Sequence, residues 1–491
     1  MIALVALVVL LPLSGAIAVA AKCQARGSGA AAVAGALGSL ISCVALAVDV
    51  GHRHVQGLEG FLYVDPLSIF FALTVSLVVV LAAFGSAAYL RAEEDRKELS
   101  LFQVRLYFVF FSIFASGMLG CLFAGNLGLL WVLIEASTLA SAALVGLEAK
   151  SRSLEAAWKY VIISSFGVTI ALLATLWLFY AGTALHLTSN QRLTWTFLYA
   201  HAHFLQSGSL KLAFLLAVLG YGTKVGLAPM HTWLPDAHSE APSPASAMLS
   251  AALLTTGMYA VIRFQAIAKV GLGNSYPDHV MLVFGFVTLF IGVIFMVRRG
   301  NYKRTFAYSS IEHMGIVAVA LGFGGVLGLY AALLQVLNHA IGKAVLFLST
   351  GHFVLGYKTR ESSEVRGALT ALPFAGAVLV LASLAVAGAP PFGVFLSELT
   401  VVRAGFAHAS PVLAGLFLVL LVVGFIALVG NTLSMATGSG PEVALDPYPR
   451  RSERILAGLP LVGGLTVLLL LGVWIPGGLN GLIIHAVRAI S

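Results

Sequence analysis

Fourteen stretches of about 20 mostly apolar residues follow one another along this chain, and no other feature restricts its fold as much. About 20 apolar residues in a helix cross the hydrocarbon core of a bilayer. A helix also satisfies its own backbone polar groups, which lipid cannot do. The stretches lie at roughly 2–21, 30–48, 64–90, 105–124, 127–147, 158–181, 209–228, 244–267, 279–297, 305–323, 327–355, 373–405, 411–436 and 455–476. Of the 491 residues, 59% are hydrophobic and 10% charged, against about 25% charged in soluble domains. The expected fold is an all-α integral membrane protein of about 14 transmembrane helices.

The net charge of +8 would suit a nucleic-acid binder, but the distribution of the basic residues has another explanation. With the N-terminus outside, the odd-to-even connections carry 19 of the 28 lysines and arginines, the other side carries 7, and Lys224 and Lys343 fall inside spans. This is the positive-inside pattern. It places both termini outside a bacterial or archaeal cytoplasmic membrane and argues against nucleic acid. Cys23, Cys43 and Cys121 are scattered without metal-ligand spacing. Nucleotide-binding, haem-ligand and nucleophile-elbow patterns are not found, so no cofactor, metal or catalytic residue is expected. The first span has no basic residue ahead of it and reads as retained rather than as a cleaved leader. The loops are short, and residues 477–491 are expected to form no appended amphipathic helix.

Two spans are interrupted. "GYGTKVGLAPMHTWLPDAHSEAPSP" (220–244) breaks the seventh at Pro229 and Pro235, and "AVAGAPPFGVFLSELTVVR" (385–403) breaks the twelfth at Pro390 and Pro391. Proline removes a backbone donor, and the freed carbonyls must find other partners. One proline kink is ordinary in a membrane helix. Two in corresponding places point to inverted repeats with an ion site at the breaks. The expected units are three N-terminal helices (1–104), a first repeat of spans 4–8 (105–267), a second of spans 9–13 (268–436), and a C-terminal loop and helix (437–491).

Ionisable residues accompany these breaks. Glu135 lies in the fifth span, Lys224 before the first break, Lys343 in the eleventh span and Glu398 after the second break. Each such group near the bilayer centre costs about 2.5–3.5 kcal/mol on insertion scales. Desolvation favours the neutral form of a lysine or carboxylate and a nearby opposite charge favours the ionised form, so approaching partners can load or release a proton. A structural pair that ties helices together is the simpler alternative for any one of them. His339 and Lys343, four residues apart, share a helix face. His313, beside Glu312, is a further candidate step in a relay. His231 and His238 lie at the first break, are expected nearer solvent, and have capping as an equal alternative; Asp236 is a further accessory candidate there.

Several motifs spread over most of the chain are those of a known family: "FLYVDPLSIFF" (61–71), "LLWVLIEASTLAS" (129–141), "GTKVGLAPMHTWLPDAHSEAPSPASAMLSA" (222–251), "AYSSIEHMG" (307–315), "LNHAIGKAVLFLSTG" (337–351) and "GAPPFGVFLSE" (388–398). The chain resembles the antiporter-like subunits shared by complex I, Mrp-type cation/proton antiporters and group 4 membrane-bound hydrogenases. "HTWLPDAHSEAPSP" and "SSIEHMG" most resemble the component-F branch of hydrogenase-4, formate hydrogenlyase-type complexes.

The resemblance implies a proton-pumping subunit without a redox centre, working with other membrane and peripheral subunits. It implies a charge pair of Glu135 and Lys224, Lys343 as a central carrier with His339 near it, and Glu398 at the outward end of the path. Thr255 stands where the family often has lysine or histidine, so water or the pair His313 and His339 would have to bridge spans seven and eleven. The alternatives are an Mrp-type sodium/proton antiporter, a complex I-like quinone oxidoreductase or a bicarbonate-accumulation complex. A stand-alone solute transporter is the reading from another class.

Overall fold

The chain is described by a computed structural model covering residues 1–21, 25–51, 53–185, 188–298, 300–440, 445–448 and 450–491. Cys23, Lys22 and Arg299 therefore lie outside the described residues, as does the side chain of Arg26.

Among the described residues, 13 helices are long and apolar enough to cross a membrane, from Ile2–Ala20 to Arg451–Val473. They coincide with 13 of the expected spans. The remaining one, the twelfth, comes as two shorter pieces, Pro373–Val386 and Gly393–Ala404. Numbered in chain order, these make fourteen spans of a multi-pass membrane protein.

Burial separates the spans into a centre and a rim. The most apolar windows of spans 8 (Ser243–Leu272), 10 (Tyr302–Phe323) and 11 (Gly325–Tyr357) are 100% buried and that of span 3 (Pro66–Asp95) is 83% buried, against 22% in the first span. The rim spans turn apolar side chains outward, as Val419 and Phe166 do, which in lipid costs nothing. Close approach of the central helices depends on glycine. A Cβ on Gly315 of span 10 would sit 2.5 Å from the backbone nitrogen of Leu289 in span 9, so only a small residue fits there.

Span 3 starts where it does because of "DPLS". Asp65 accepts a hydrogen bond from the Ser68 backbone N–H, and the Ser68 hydroxyl accepts one from Asp65 N–H, each at 2.8 Å. Pro66 occupies the first turn, where a missing N–H leaves nothing unsatisfied. Ahead of it, Val55–Gly57 and Leu62–Val64 form a two-stranded antiparallel hairpin with Val55 opposite Val64.

Three sequence expectations need correction. The tail holds a helix, Gly477–Arg488, which buries Ile483, Ala486 and Val487 on one side while His485 and Arg488 fall in its last turn. Its alternation of small, polar and apolar residues is too short for a span and fits an interfacial helix. The seventh span continues after its break as a separate helix, Trp233–Glu240, with Pro235 in the first turn. Finally, Lys303 and Arg263, counted among loop residues in the charge pattern, are buried in spans 10 and 8.

Candidate functional site

Both interrupted helices stop in the same way. Span 7, Ser207–Val225, ends at Gly226 (φ +82°), and Leu227 N–H returns to the Gly222 carbonyl at 2.8 Å. The first half of span 12 ends near Gly388 (φ +79°), and Ala389 N–H returns to the Leu384 carbonyl at 3.0 Å. This six-to-one closure with a left-handed glycine satisfies carbonyls that proline would otherwise strand. Pro229, Pro390 and Pro391 lie in the irregular segments beyond these glycines. Ala228 N–H is taken by Thr288 of span 9 at 2.9 Å. Asn338 of span 11 donates to the Gly393 carbonyl at 2.8 Å, which holds the restart of span 12 against the core.

Lys224 lies one turn before the first break and is fully buried. Its Nζ has no hydrogen-bond acceptor among the described residues and sits 4.9 Å from the centre of the Tyr160 ring. A cation over a desolvated aromatic face gains about 2 kcal/mol. The Tyr160 hydroxyl is tied to Ser141 at 2.7 Å, and the ring packs on Trp233, 4.5 Å between centroids. Glu135 accepts from the Ser165 hydroxyl at 3.0 Å. It makes no ion pair with Lys224 within 4.0 Å, though the two interact electrostatically. The structure thus brings Glu135 and Lys224 into one region without closing them into a salt bridge.

Lys343 is held differently. Its Nζ donates to the Ser309 hydroxyl at 2.7 Å and to the Phe306 carbonyl at 3.2 Å, both on span 10. Glu312, one turn beyond Ser309, is buried within electrostatic reach of Lys343, and Glu398 of span 12 is buried within reach of Glu312. His313 and His339 stand with ring centroids 5.1 Å apart. His313 Nε2 donates to the Val386 carbonyl at 2.9 Å, at the second break, so its Nδ1 is the acceptor for Gln335 Nε2 at 3.0 Å. Ser397 donates to the other end of that amide. His339 Nε2 reaches the Ser250 carbonyl at 3.3 Å. Ser250 lies in Leu249–Leu253, a π-helical turn in span 8, a local form that recurs at functional sites.

His238, expected nearer solvent, is completely buried. The break helix turns it inward: Nδ1 donates to the Leu234 carbonyl at 2.7 Å, and the ring lies 5.3 Å from that of Phe347. It falls within electrostatic reach of both Lys343 and His339. His231 stays half-buried at the break. Asp236, on the other face of the same short helix, is paired with Lys159 at 3.4 Å and with Arg304. That cluster lines an open cleft of about 600 Å³ at the basic end of the bundle, outside the buried row. Thr255 donates to its own helix at the Ala251 carbonyl, 2.7 Å away.

Several residues of this region did not stand out individually in the sequence, although Ser250, Asn338 and Ser397 lie inside the family motifs. Lys303 is buried, with its ammonium on the Ala241 carbonyl just past the break helix. Gln335, Asn338, Ser250 and Ser397 are neutral polar residues in apolar spans, and only the hydrogen bonds single them out. Arg263 forms a buried bidentate pair with Asp65 at 2.6 and 2.8 Å, under the Trp195 ring. The place of Asp65 inside the motif "FLYVDPLSIFF" was the one hint of it. Among the described residues, no group of three histidines, cysteines or carboxylates is arranged to hold a metal.

Comparison with known proteins places this architecture. Residues 124–424 match the family described as "NADH:quinone oxidoreductase/Mrp antiporter, TM". The hydrogenase-4 component F homolog of Methylacidiphilum infernorum (isolate V4) is 35% identical over 418 residues, covering 85% of this chain and 86% of that protein. In fold, the chain superposes on a subunit of the membrane-bound sulfane sulfur reductase, an archaeal respiratory membrane complex, with a TM-score of 0.85 at 22% identity, covering 99% of this chain and 97% of the other. A chain of the Mrp complex from Dietzia sp. DQ12-45-1b gives 0.83 at 20% identity, covering 100% and 98%. Relatives and structural neighbours are subunits of multisubunit membrane complexes. The chain belongs to the NADH:quinone oxidoreductase/Mrp antiporter transmembrane family and is an antiporter-like membrane subunit of the complex I, Mrp and hydrogenase-4 kind.

Proposed function

We propose that this chain moves protons as the antiporter-like subunit of a membrane-bound [NiFe] hydrogenase of the hydrogenase-4, formate hydrogenlyase type, coupled to electron transfer in partner subunits. The observation that carries the reading is the buried row of Lys224, His238, His339, His313 and Lys343, with Glu135 at one end and Glu312 and Glu398 at the other. Such groups in a membrane interior are costly unless they work or pair. The 35% identity to a component F homolog favours the hydrogenase branch.

In this reading Glu135 and Lys224 load the first half, Lys343 is the central carrier, and Glu398 ends the path on the outer side. The link at Thr255 is made by His238 instead: its free Nε2 is buried beside His339 and Lys343, whereas the Thr255 hydroxyl is committed to its own helix. The same reading keeps spans 4–8 and 9–13 as inverted repeats. Support comes from the matched glycine closures at Gly226 and Gly388. The basic loops keep both termini outside.

Native purification through a tag on this chain, with every co-purifying subunit identified and nickel and iron assayed, tests the assignment. Nickel together with iron–sulfur subunits is the expected result. Small membrane subunits without metals would overturn it in favour of an Mrp-type antiporter. A soluble zinc-bearing partner would favour bicarbonate machinery, and recovery of this chain by itself a solitary transporter.

A further inference from the structure

Several glycines of this bundle sit where two helix backbones touch. A Cβ on Gly292 would meet the backbone nitrogen and Cα of Glu312 at 2.5 and 2.8 Å, and one on Gly315 would meet the backbone of Leu289 at the same distances. Gly424, in span 13 (Pro411–Ala436), is different. A Cβ there would overlap Glu312 Oε1 and lie 3.0 Å from its carboxyl carbon. The next atom is a side-chain methyl of Val293 at 3.4 Å, an ordinary contact, and no backbone atom is among the three nearest. Gly424 lies inside a regular helix with no positive φ, where alanine is the better helix former. Neither backbone conformation nor helix contact calls for glycine at this position; the carboxylate does.

The carboxylate that fills this slot stands on span 10 three residues after Ser309, on the same face of the helix. The Ser309 hydroxyl takes the hydrogen bond from Lys343 Nζ at 2.7 Å and also lies against the Glu312 carboxylate. Glu398 faces Glu312 electrostatically. Its own carboxylate fills the space over Gly388, where a Cβ would overlap Oε2. Both acids of the second half therefore rest against glycines.

We propose that Gly424 is a positioning residue that keeps open a slot for the Glu312 carboxylate, and that Glu312 is the relay between Lys343 and Glu398. The transfer balances. The Lys343 ammonium gives a proton to the Ser309 oxygen as the Ser309 proton passes to Glu312. A neutral amine, an intact hydroxyl and a carboxylic acid remain. Glu312 then gives its proton to the Glu398 carboxylate and is ionised again. The inference rests on the reading above that Lys343 carries a proton.

The test uses inverted membrane vesicles from the native host containing the whole complex, energised by its own electron donor. Acridine-orange quenching reads proton uptake, and native gels read assembly. Gly424→Ala is expected to slow uptake by about tenfold with assembly intact. Glu312→Asp, one methylene shorter, is expected to restore most of the rate when combined with Gly424→Ala. An unchanged rate in Gly424→Ala, or no relief from Glu312→Asp, would overturn the slot. If Gly424→Ala fails to assemble, Glu312→Ala must restore assembly by removing the overlapping carboxylate; continued failure would make Gly424 a plain packing residue. Lys343→Ala separates the two ideas. Its normal uptake would sink the path itself, whereas its loss beside a normal Gly424→Ala would sink only the slot.

Discussion

The two buried lysines have opposite surroundings. Lys343 rests on two protein oxygens, the Ser309 hydroxyl and the Phe306 carbonyl. Lys224 faces an aromatic ring and has no protein acceptor among the described residues. A buried ammonium without hydrogen bonds is poorly stabilised, so the charge at Lys224 depends on the field of Glu135. At Lys343 the site itself solvates the charge. The comparison teaches that the charge at one lysine is left to a neighbouring carboxylate while the other is solvated by the protein itself. On the proposed proton path, that difference would make the first the switch and the second the carrier.

The largest expected effect is the loss of proton translocation in both Lys224→Met and Lys343→Met, measured in energised vesicles. Thermal unfolding in detergent sharpens the contrast. Lys224→Met breaks no protein hydrogen bond, and its lost contact with the Tyr160 ring is offset by the relieved cost of burying an ammonium, so it is expected to stay within about 1 kcal/mol of wild type. Lys343→Met removes the donor to the Phe306 carbonyl and the Ser309 hydroxyl and costs about 1–2 kcal/mol. Equal destabilisation of the two variants would erase the distinction. Next, Glu135→Gln keeps an acceptor for Ser165 but removes the field on Lys224; translocation is expected to fall partially with normal assembly. Loss of the chain from the membrane would make Glu135 a structural residue. The smallest effect is expected for Thr255→Lys. Its uptake should match wild type if the proposed link runs through His238; a faster rate would return the path to Thr255.

The spans were legible because a bilayer demands about 20 apolar residues at a time, and that signal survives in a single sequence. The breaks were legible because glycine and proline punctuate the chain at Gly226–Pro229 and Gly388–Pro391. Ionisable residues in apolar surroundings drew attention to Lys224, Lys343, Glu135 and Glu398 on cost alone. Orientation was not legible. His238 appeared solvent-near because "PDAHSE" is polar, but the eight-residue helix sends Asp236 to the rim and His238 to the core. The same rotation hid Lys303, whose loop-like neighbours Arg298 and Arg304 face outward. Neutral residues such as Gln335 and Asn338 have no hydropathic signature. The tail helix was missed because twelve mixed residues fall below any spanning threshold.

The wide turn at Leu249–Leu253 acts as a phase shifter. One residue more per turn rotates everything beyond it by about 100° relative to a regular helix. Span 8 is pinned on both sides of that turn: Ser246 is bonded to the His238 and Ala241 carbonyls, and Arg263 is locked to Asp65. Tightening the turn would have to twist one pinned end against the other. The register of span 8 is therefore fixed at two points, and the Ser250 carbonyl that meets His339 is a stationary contact around which the broken helices are arranged.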